Sequence, residues 1–213
     1  HFDVLIHLAG PRLEAANRFP VPALDTAIWP LRCWREQITR VIFASSCSVY
    51  RTADQGGYLT AKRQGEKEAE GGLILRLGTL FGPSPRTRYD TVVNGLIQAI
   101  AQHRLYLLYS PRAIRPYAHV WDAARLILMA VSRPDLIGIH DVVCCNLNKE
   151  EIVAAARTLP PAALAGFDLA YGKTPDDSGY SGTLSAQFCC LRTVADGIRD
   201  LWEQFDEQKD RAA

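Results

Sequence analysis

The sequence predicts an α/β fold in which helices cover both faces of a parallel sheet. Apolar runs at 4–8, 41–45 and 73–77 read as strands, and helical segments separate them along the chain. Strands of a parallel sheet are buried on both faces and are therefore apolar throughout, and a helix supplies the crossover between them. We expect the three strands to be neighbours or near neighbours in one sheet.

The other elements follow from the same patterns, taken in chain order. Pro30 is expected to break or kink the first helix, and Gly71-Gly72 to end the second. The segment at 91–102 is amphipathic, and a turn-rich stretch, 82–85, precedes it. The predicted helices are 23–35, 60–70, 91–102, 121–131, 149–159 and 192–204, and the further strands are 105–109, 118–120 and 139–144.

Composition sets broad limits on function. The chain has 213 residues, 48% of them hydrophobic and 22% charged, which is typical of a folded globular protein. The net charge of +1 gives no reason to expect nucleic acid or an anionic membrane as a partner. No apolar run has the length of a membrane span, and no signal peptide is recognisable.

Six cysteines show neither a Cys-x-x-Cys spacing nor histidine partners of the metal-binding type. We therefore predict buried thiols, no metal site, and a reducing cytoplasm. The cysteines are Cys33, Cys47, Cys144, Cys145, Cys189 and Cys190. The chain starts at His1 and enters a strand at once, so we expect it to be a piece of a longer chain.

Tyr58 and Lys62 form the most informative local pattern. Four residues make about one helical turn, so Tyr58, just before the predicted helix 60–70, and Lys62, within it, would share one helix face. A nearby ammonium favours phenolate, which would let Tyr58 act as a base near neutral pH. Ser46 follows the strand 41–45, and its hydroxyl would hold the same substrate oxygen. The alternative interpretation is that Tyr58 and Lys62 are two solvated side chains on one helix face with no catalytic role.

The order of motifs resembles the extended short-chain dehydrogenase/reductase family, the NAD-dependent sugar-nucleotide epimerases and dehydratases. The resemblance extends over nearly the whole chain, down to the tail segments at 175–180 and 194–201. The motifs are Leu5-Ile-His-Leu-Ala-Gly10, Phe43-Ala-Ser-Ser-Cys-Ser-Val-Tyr50, Tyr58-x-x-x-Lys62, Leu75-Arg-Leu-Gly-Thr-Leu-Phe-Gly-Pro83, Asn94 and Arg115-Pro-Tyr-Ala-His-Val-Trp-Asp122.

The resemblance implies a Rossmann-like doubly wound parallel sheet with a small interleaved C-terminal substrate domain. Residues 1–83 would be the remainder of the dinucleotide-binding domain, to which 114–143 return. Residues 84–113 and 144–213 would bind substrate.

The resemblance also assigns roles. By this resemblance Tyr58 would be the catalytic base, Lys62 would hold the nicotinamide ribose, and Ser46 would polarise the reacting oxygen. The cofactor would be NAD or NADP, lined by Leu8, Ala9 and Gly10 as well as Tyr58 and Lys62. The substrate would be a nucleotide sugar, with Asn94 and Arg115 on the diphosphate and Thr79 in the place of the substrate-site Asn. A homodimer through the helices 23–35 and 60–70 is implied.

Several positions depart from the family pattern. The glycine-rich turn of the first βαβ unit, whose helix N-terminus holds the cofactor pyrophosphate, is absent from the sequence. We therefore expect weak NAD binding by these 213 residues. Arg51 replaces a Gly, Ser178 replaces a phosphate-binding Arg, and the linker from Ser46 to Tyr58 is about half the usual length.

The residues after Ser46 discriminate among chemistries. Cys47 and Ser48 stand where dehydratases have an Asp-Glu acid–base pair, so dehydration is disfavoured. The epimerising reductases have a Cys at the place of Ser48. A sugar-nucleotide 4-epimerase is thus the leading hypothesis, and a dehydrogenase or reductase is second. A degenerate, non-catalytic binding module is the alternative from another class.

His119 is expected to be a core residue, and Asp122 to cap the next helix.

Overall fold

The structure is a computed structural model that describes residues 2–51, 56–173, 179–185 and 187–212, with side chains as far as 207. Its main sheet has the order β1-β2-β3-β7 within these residues, and all three pairings are parallel. The strands are β1 (Phe2–His7), β2 (Ile38–Ser46), β3 (Leu73–Leu77) and β7 (Gly138–Val142). The predicted α/β fold and the adjacency of its first three strands are confirmed.

Two smaller sheets complete the β-structure that the described residues contain. In one, β6 pairs with β4 in parallel and with β8 in antiparallel fashion. In the other, β5 and β9 are parallel. The strands are β4 (Thr79–Phe81), β5 (Leu105–Tyr109), β6 (Arg115–His119), β8 (Cys145–Leu147) and β9 (Asp168–Gly172).

The six predicted helices are all present, but several of their ends differ from the prediction. The helix predicted at 192–204 continues much further, and the one predicted at 149–159 ends early. Helices 13–18 and 161–164 were not predicted. The helices are α1 (Leu13–Arg18), α2 (Pro20–Trp34), α3 (Gly57–Glu68), α4 (Val92–Ala101), α5 (Val120–Val131), α6 (Lys149–Ala156), α7 (Pro161–Leu164) and α8 (Val194–Ala212).

Helix α2 runs through Pro30, so the expected break at this residue is wrong. A proline inside a helix costs about 3 kcal/mol because it removes a hydrogen bond and crowds the preceding turn. Packing against α3 offsets this cost. Ala23, Ala27 and Ile28 of α2 are buried with Ala61 of α3 in one apolar cluster.

The strand predicted at 139–144 is divided in two. The chain leaves the main sheet after Val142, bends at Cys144, and enters β8 in the neighbouring sheet. The bend is fixed because the Cys144 amide donates to the Tyr117 carbonyl at 2.7 Å. A continuous apolar run carries no signal for a change of sheet, which is why the sequence predicted one strand.

The buried apolar residues form several separate clusters. One cluster joins β2, β3 and β7 to α5, with Ile42, Leu73 and Leu126 fully buried. Another joins α4, α6 and α8, with Leu96 and Leu201 at its centre. The division of the chain into cofactor-binding and substrate-binding parts stays a prediction.

Candidate active site

The C-terminal end of β2 and the first turn of α3 meet at a cleft of about 800 Å³. Ser46 is the last residue of β2, and Tyr58 lies in the first turn of α3. Asn17 accepts the Tyr58 amide proton at 3.0 Å and so anchors the start of this helix. Ser46, Tyr58 and Lys62 all line the cleft, so the structure brings the three sequence-predicted residues together.

Ser46 is oriented by the backbone that follows it. A short 3-10 turn, Cys47–Tyr50, begins directly after β2, and the Ser46 oxygen accepts from the Ser48 amide at 3.2 Å. The Ser46 hydroxyl donates to the Ser48 hydroxyl, also at 3.2 Å. A hydrogen bond with Ser46 acts to lower the pKa of Tyr58.

Lys62 is buried beneath the cleft. Its ammonium donates to the Ala44 carbonyl of β2 at 2.7 Å and lies 5.2 Å from the centre of the Phe43 ring. Burial lowers the pKa of Lys62 to about 8, and the negative charge of Glu66 opposes this effect. Desolvation disfavours the charged form of a lysine, so this ammonium releases its proton far more readily than a surface lysine.

The pKa of Tyr58 is raised above its ordinary value, because burial penalises the phenolate. The hydrogen bond with Ser46 and the charge of Arg88 act in the opposite direction. Burial outweighs these contacts, and Lys62, whose ammonium is directed at Ala44, is not among the groups that shift the pKa of Tyr58 in the unliganded protein. The expected effect of Lys62 on the phenol stays a prediction.

A polar network behind the cleft holds β2 and α3 together. The Ser45 hydroxyl donates to Glu66 at 2.5 Å, and Arg76 forms two hydrogen bonds to the same carboxylate at 2.9 and 2.7 Å. The Arg76 guanidinium also stacks on Tyr50, whose hydroxyl donates to Asp141. Charge-assisted and bidentate hydrogen bonds of this kind are the strong ones, so the network fixes α3 against β2 and β3.

Tyr180 enters the site from the segment that precedes α8. Its hydroxyl lies 2.9 Å from the Ser48 hydroxyl, and its ring faces the cleft. The guanidinium of Arg115 lies 4.8 Å from the ring centre. Tyr180 lies in the tail segment 175–180 that resembles the family, but no site role was predicted for it. The only sequence feature that could have suggested the contact between Ser48 and Tyr180 is the Ser48 hydroxyl, two residues after Ser46 at the end of a strand.

The residues expected on the cofactor side lie beyond the end of β1. Leu8 and Gly10 line the cleft, and Ala9 is exposed beside them without lining it. A Cβ atom at Gly10 would lie 3.4 Å from the Lys62 nitrogen, so a glycine keeps the space above the ammonium open. The structure therefore groups Gly10 with Lys62 at one end of the cleft.

The residues expected on the substrate side also line the cleft. Thr79 belongs to β4 and Arg115 to β6. Asn94 of α4 is only 3% exposed, and its amide accepts from the Gly82 backbone at 3.0 Å and donates to the Arg88 carbonyl at 2.8 Å. Asn94 thus shapes the loop that carries Arg88. Ser178 lies outside the described residues.

His119 and Asp122 are both buried. His119 is a core residue, as expected, and its side chain accepts from the Trp121 amide as the N-cap of α5. Asp122 is not the cap of that helix. Its carboxylate accepts from the amides of Leu191 and Arg192 at 2.9 and 2.8 Å and so ties the segment before α8 to the main body.

The prediction of buried thiols holds for some cysteines only. Cys47 is buried, and burial raises its pKa, whereas Cys33 and Cys189 are exposed. The sulfur atoms of Cys144 and Cys145 lie 3.4 Å apart in a half-buried position. Across the described part of the chain, no group of three or more His, Cys, Asp or Glu side chains has the arrangement of a metal site. Nor does any described helix have the length and apolarity to cross a membrane.

A family model described as "NAD dependent epimerase/dehydratase family" matches residues 2–145, about two thirds of the chain. This protein belongs to the NAD-dependent epimerase/dehydratase family. The match contains the three residues Ser46, Tyr58 and Lys62 and ends at the start of β8. A search of curated proteins finds no match to this chain.

Solved structures of low sequence identity share the fold. RMD from Pseudomonas aeruginosa, complexed with NADPH, superposes with a TM-score of 0.80 at 15% identity, covering 97% of this chain and 82% of its own. UDP-glucose 4-epimerase from Thermotoga maritima, with UDP-glucose, gives 0.78 at 16% identity, covering 97% and 78%. TunA, an NAD-dependent NDP-hexosamine 5,6-dehydratase, gives 0.78 at 17% identity, covering 96% and 77%.

Proposed function

We propose that this family member is a nucleotide-sugar epimerase of the 4-epimerase type that uses NAD or NADP. The observation that carries the proposal is that Ser46, Tyr58 and the buried Lys62 line one cleft, with Tyr58 and Lys62 one turn apart on α3. A phenol with a partner hydroxyl in an enclosed cleft has the arrangement required to move a proton to and from a sugar hydroxyl.

Each of the three residues has a distinct role in this proposal. Tyr58 removes the proton from the reacting hydroxyl of the sugar and later returns it. Ser46 donates a hydrogen bond to the same oxygen as its charge changes. Lys62 binds the nicotinamide ribose, and its charge, when present, favours the phenolate of Tyr58.

The cofactor end of the cleft suits a nicotinamide nucleotide. Leu8 and Gly10 leave open space above Lys62, where a larger side chain would meet the ammonium. NAD or NADP, when bound, accepts and returns the hydride that the protein cannot supply. Leu8, Ala9 and Gly10 would line it on one side, and Tyr58 and Lys62 would orient it from the other. These 213 residues contain no glycine-rich pyrophosphate turn. The weak affinity for NAD that was expected on this ground stays a prediction.

Another group of cleft residues suits a nucleoside diphosphate-linked sugar. Arg115 projects from β6 into the cleft, and its planar fork pairs well with phosphate oxygens. Thr79 completes the proposed substrate contacts. Asn94 contributes indirectly, because it fixes the loop that carries Arg88. The solved 4-epimerase from Thermotoga maritima is described with UDP-glucose, which supports this class of substrate.

The neighbours of Ser46 favour epimerisation over dehydration. Burial raises the pKa of Cys47, and its thiol donates to the Arg76 carbonyl at 3.2 Å, so it is not an acid directed at substrate. Ser48 is likewise a poor acid. A reaction that removes and returns hydride needs only Tyr58 as its proton carrier. A dehydrogenase or reductase that releases the ketone or alcohol would use the same residues and is the second candidate.

A non-catalytic binding module is the alternative of a different class. Ser178 in the place of a phosphate-binding Arg and the shortened linker from Ser46 to Tyr58 support it. The enclosure of Ser46, Tyr58 and Lys62 in one cleft opposes it, because a module that only binds has no need of a buried lysine below a phenol.

We also propose a homodimer through α2 and α3, which pack side by side. The outer surface of α2 carries the exposed apolar side chains of Val21 and Trp29. Exposed apolar groups of this kind are typical of protein–protein contacts.

The function is tested by incubating the purified protein with NAD, NADP and a panel of nucleotide sugars. Chromatographic separation of sugar epimers identifies a 4-epimerase, and absorbance of reduced cofactor identifies a net dehydrogenase. Binding of a nucleotide sugar in calorimetry without any conversion would support the binding module. Formation of a dehydrated product would contradict the proposed reaction.

A further inference from the structure

We propose that Lys149 is a second phosphate-binding cation of the cleft, which holds the diphosphate of a nucleotide sugar together with Arg115. This inference deepens the proposed function and rests on it, since it concerns the same substrate. The resemblance expects a phosphate-binding Arg at position 178, where this chain has Ser, and it gives Lys149 no role. A serine carries no charge, so a second cation on the diphosphate has to come from another part of the fold.

The charge of the cleft favours an anionic ligand. Among the described residues that line it, seven are Lys or Arg and two are acidic, Glu14 and Asp90. Asp90 already accepts two hydrogen bonds from Arg88, at 3.0 and 2.7 Å. The whole chain has a net charge of only +1, so positive charge is concentrated at the cleft. A concave surface lined by one sign of charge attracts a ligand of the opposite sign.

The pairing of β6 with β8 brings the backbone of Lys149 close to that of Arg115. In this antiparallel pair Arg115 lies opposite Leu147, and Lys149 is two residues further along the chain. The Lys149 amide donates to the Pro111 carbonyl at 3.0 Å, which holds the start of α6 against the segment that leads into β6. Two residues of chain span at most about 7 Å, so the two cationic residues are near neighbours, and both line the cleft.

The ammonium of Lys149 is positioned at the end of β5. It donates to the Tyr109 carbonyl at 2.5 Å, and the residue is half-buried. An ammonium has three donors, so it can keep this hydrogen bond and give another to a phosphate oxygen. Lysine binds phosphate as a point charge, whereas the fork of Arg115 binds two oxygens at once, so the two side chains complement each other on a diphosphate.

Arg115 and Lys149 are both held by the segment before α8. The guanidinium of Arg115 lies 4.8 Å from the centre of the Tyr180 ring. Asn146 of β8, the strand that leads to Lys149, exchanges two hydrogen bonds with Gly182 at 2.8 and 2.9 Å. Cations that are already ordered in this way lose little freedom when a ligand binds.

The test is calorimetric binding of the diphosphates of uridine, thymidine and guanosine to the full chain, which requires no turnover. Lys149→Met removes the charge and keeps most of the side chain, and Lys149→Arg keeps the charge. Lys173→Met changes an exposed lysine outside the cleft and is the matched control. Thermal unfolding like that of the wild type confirms that each variant is folded.

We expect Lys149→Met to weaken nucleoside diphosphate binding about tenfold, the scale of a hydrogen bond to a charged group, and to make the affinity less dependent on salt. Lys149→Arg should remain within about threefold of the wild type because its charge is kept, and Lys173→Met should be unchanged.

Three results would overturn the proposal. Wild-type affinity in Lys149→Met would show that the lysine does not touch the ligand. Equal losses in Lys149→Met and Lys149→Arg would show that it only supports the Tyr109 carbonyl. A loss with unchanged salt dependence would show that it contacts the base or the ribose instead of phosphate.

Conversion of nucleotide sugars separates this inference from the proposed function. If the wild type binds a nucleoside diphosphate through Lys149 but converts no nucleotide sugar, the proposed activity fails and this inference stands. If the wild type converts a nucleotide sugar and Lys149→Met changes neither KM nor nucleotide affinity, the inference fails and the activity stands. A wild type that binds none of the three diphosphates would overturn both.

Discussion

The ammonium of Lys62 lies 2.7 Å from the carbonyl oxygen of Ala44, beneath the floor of the cleft. This carbonyl belongs to the same strand that ends in Ser46, so a single strand positions both the lysine and the serine. The lysine is 9% exposed, and in the unliganded protein its charge is partnered mainly by a neutral carbonyl. Such a lysine opposes folding at neutral pH and is ready to exchange its partner for a ligand hydroxyl.

Lys62→Met is expected to stabilise the protein at pH 7 by up to about 3 kcal/mol. The folded-state pKa is about 8, lowered from 10.5 by burial, so the unfolded chain holds an extra proton between these values. The free energy of unfolding of the wild type therefore rises with pH from about 8 to 10.5, and the advantage of Met disappears over that range. Urea denaturation across the range measures it.

Lys67→Met changes an exposed lysine of the same helix and serves as the control for loss of a charge. A constant difference between wild type and Lys62→Met at all pH values would show that the lysine is not desolvated.

Tyr58→Phe is expected to reduce turnover of a nucleotide sugar by about 10²-fold or more, the cost of losing a positioned acid–base group. The ring remains, so cofactor binding should persist. Ser46→Ala should cost less, because the base is retained, and Lys62→Ala should also weaken cofactor binding. Steady-state kinetics and calorimetry measure the two effects. Tyr171→Phe is the matched control, and near-normal turnover in Tyr58→Phe would refute the site.

Gly65→Ala is expected to destabilise the protein by about 1–3 kcal/mol, although alanine favours helices over glycine. A Cβ atom at this position of α3 would lie 2.4 Å from the Phe43 ring. The helix must move away from β2, which also displaces Tyr58 and Lys62. Thermal or urea denaturation gives the loss. Lys67→Ala, on the exposed side of the helix, should be close to neutral, and equal stability of the two variants would contradict the contact.

Trp29→Asp is expected to yield a monomer if α2 and α3 form the proposed homodimer. The side chain of Trp29 is 62% exposed, and a charge at this position would be buried without a partner in the interface. Light scattering coupled to size exclusion measures the mass. Trp121→Asp changes an equally exposed tryptophan on α5 and should leave the dimer intact. A wild type that is already monomeric, or dissociation in both variants, would end the proposal.

The periodicity and short motifs of the sequence determined the core of this fold. The apolar runs of β2 and β3 require burial on both faces, and the helix between them requires a parallel crossover. Because the ends of parallel strands meet at one edge, Ser46 could be placed there from the sequence. The one-turn spacing of Tyr58 and Lys62 was equally local. All of these are relations between residues close together in the chain.

The tertiary structure alone decided the relations between distant residues. Ser48 and Tyr180 are 132 residues apart, and their contact depends on the path that Asp141 and Asn146 fix for the last segment. The persistence of α2 through Pro30 depends on its packing against α3. The direction of the Tyr58 and Lys62 pKa changes depends on burial. Sequence patterns record local geometry, whereas desolvation and long-range packing exist only once the chain has folded.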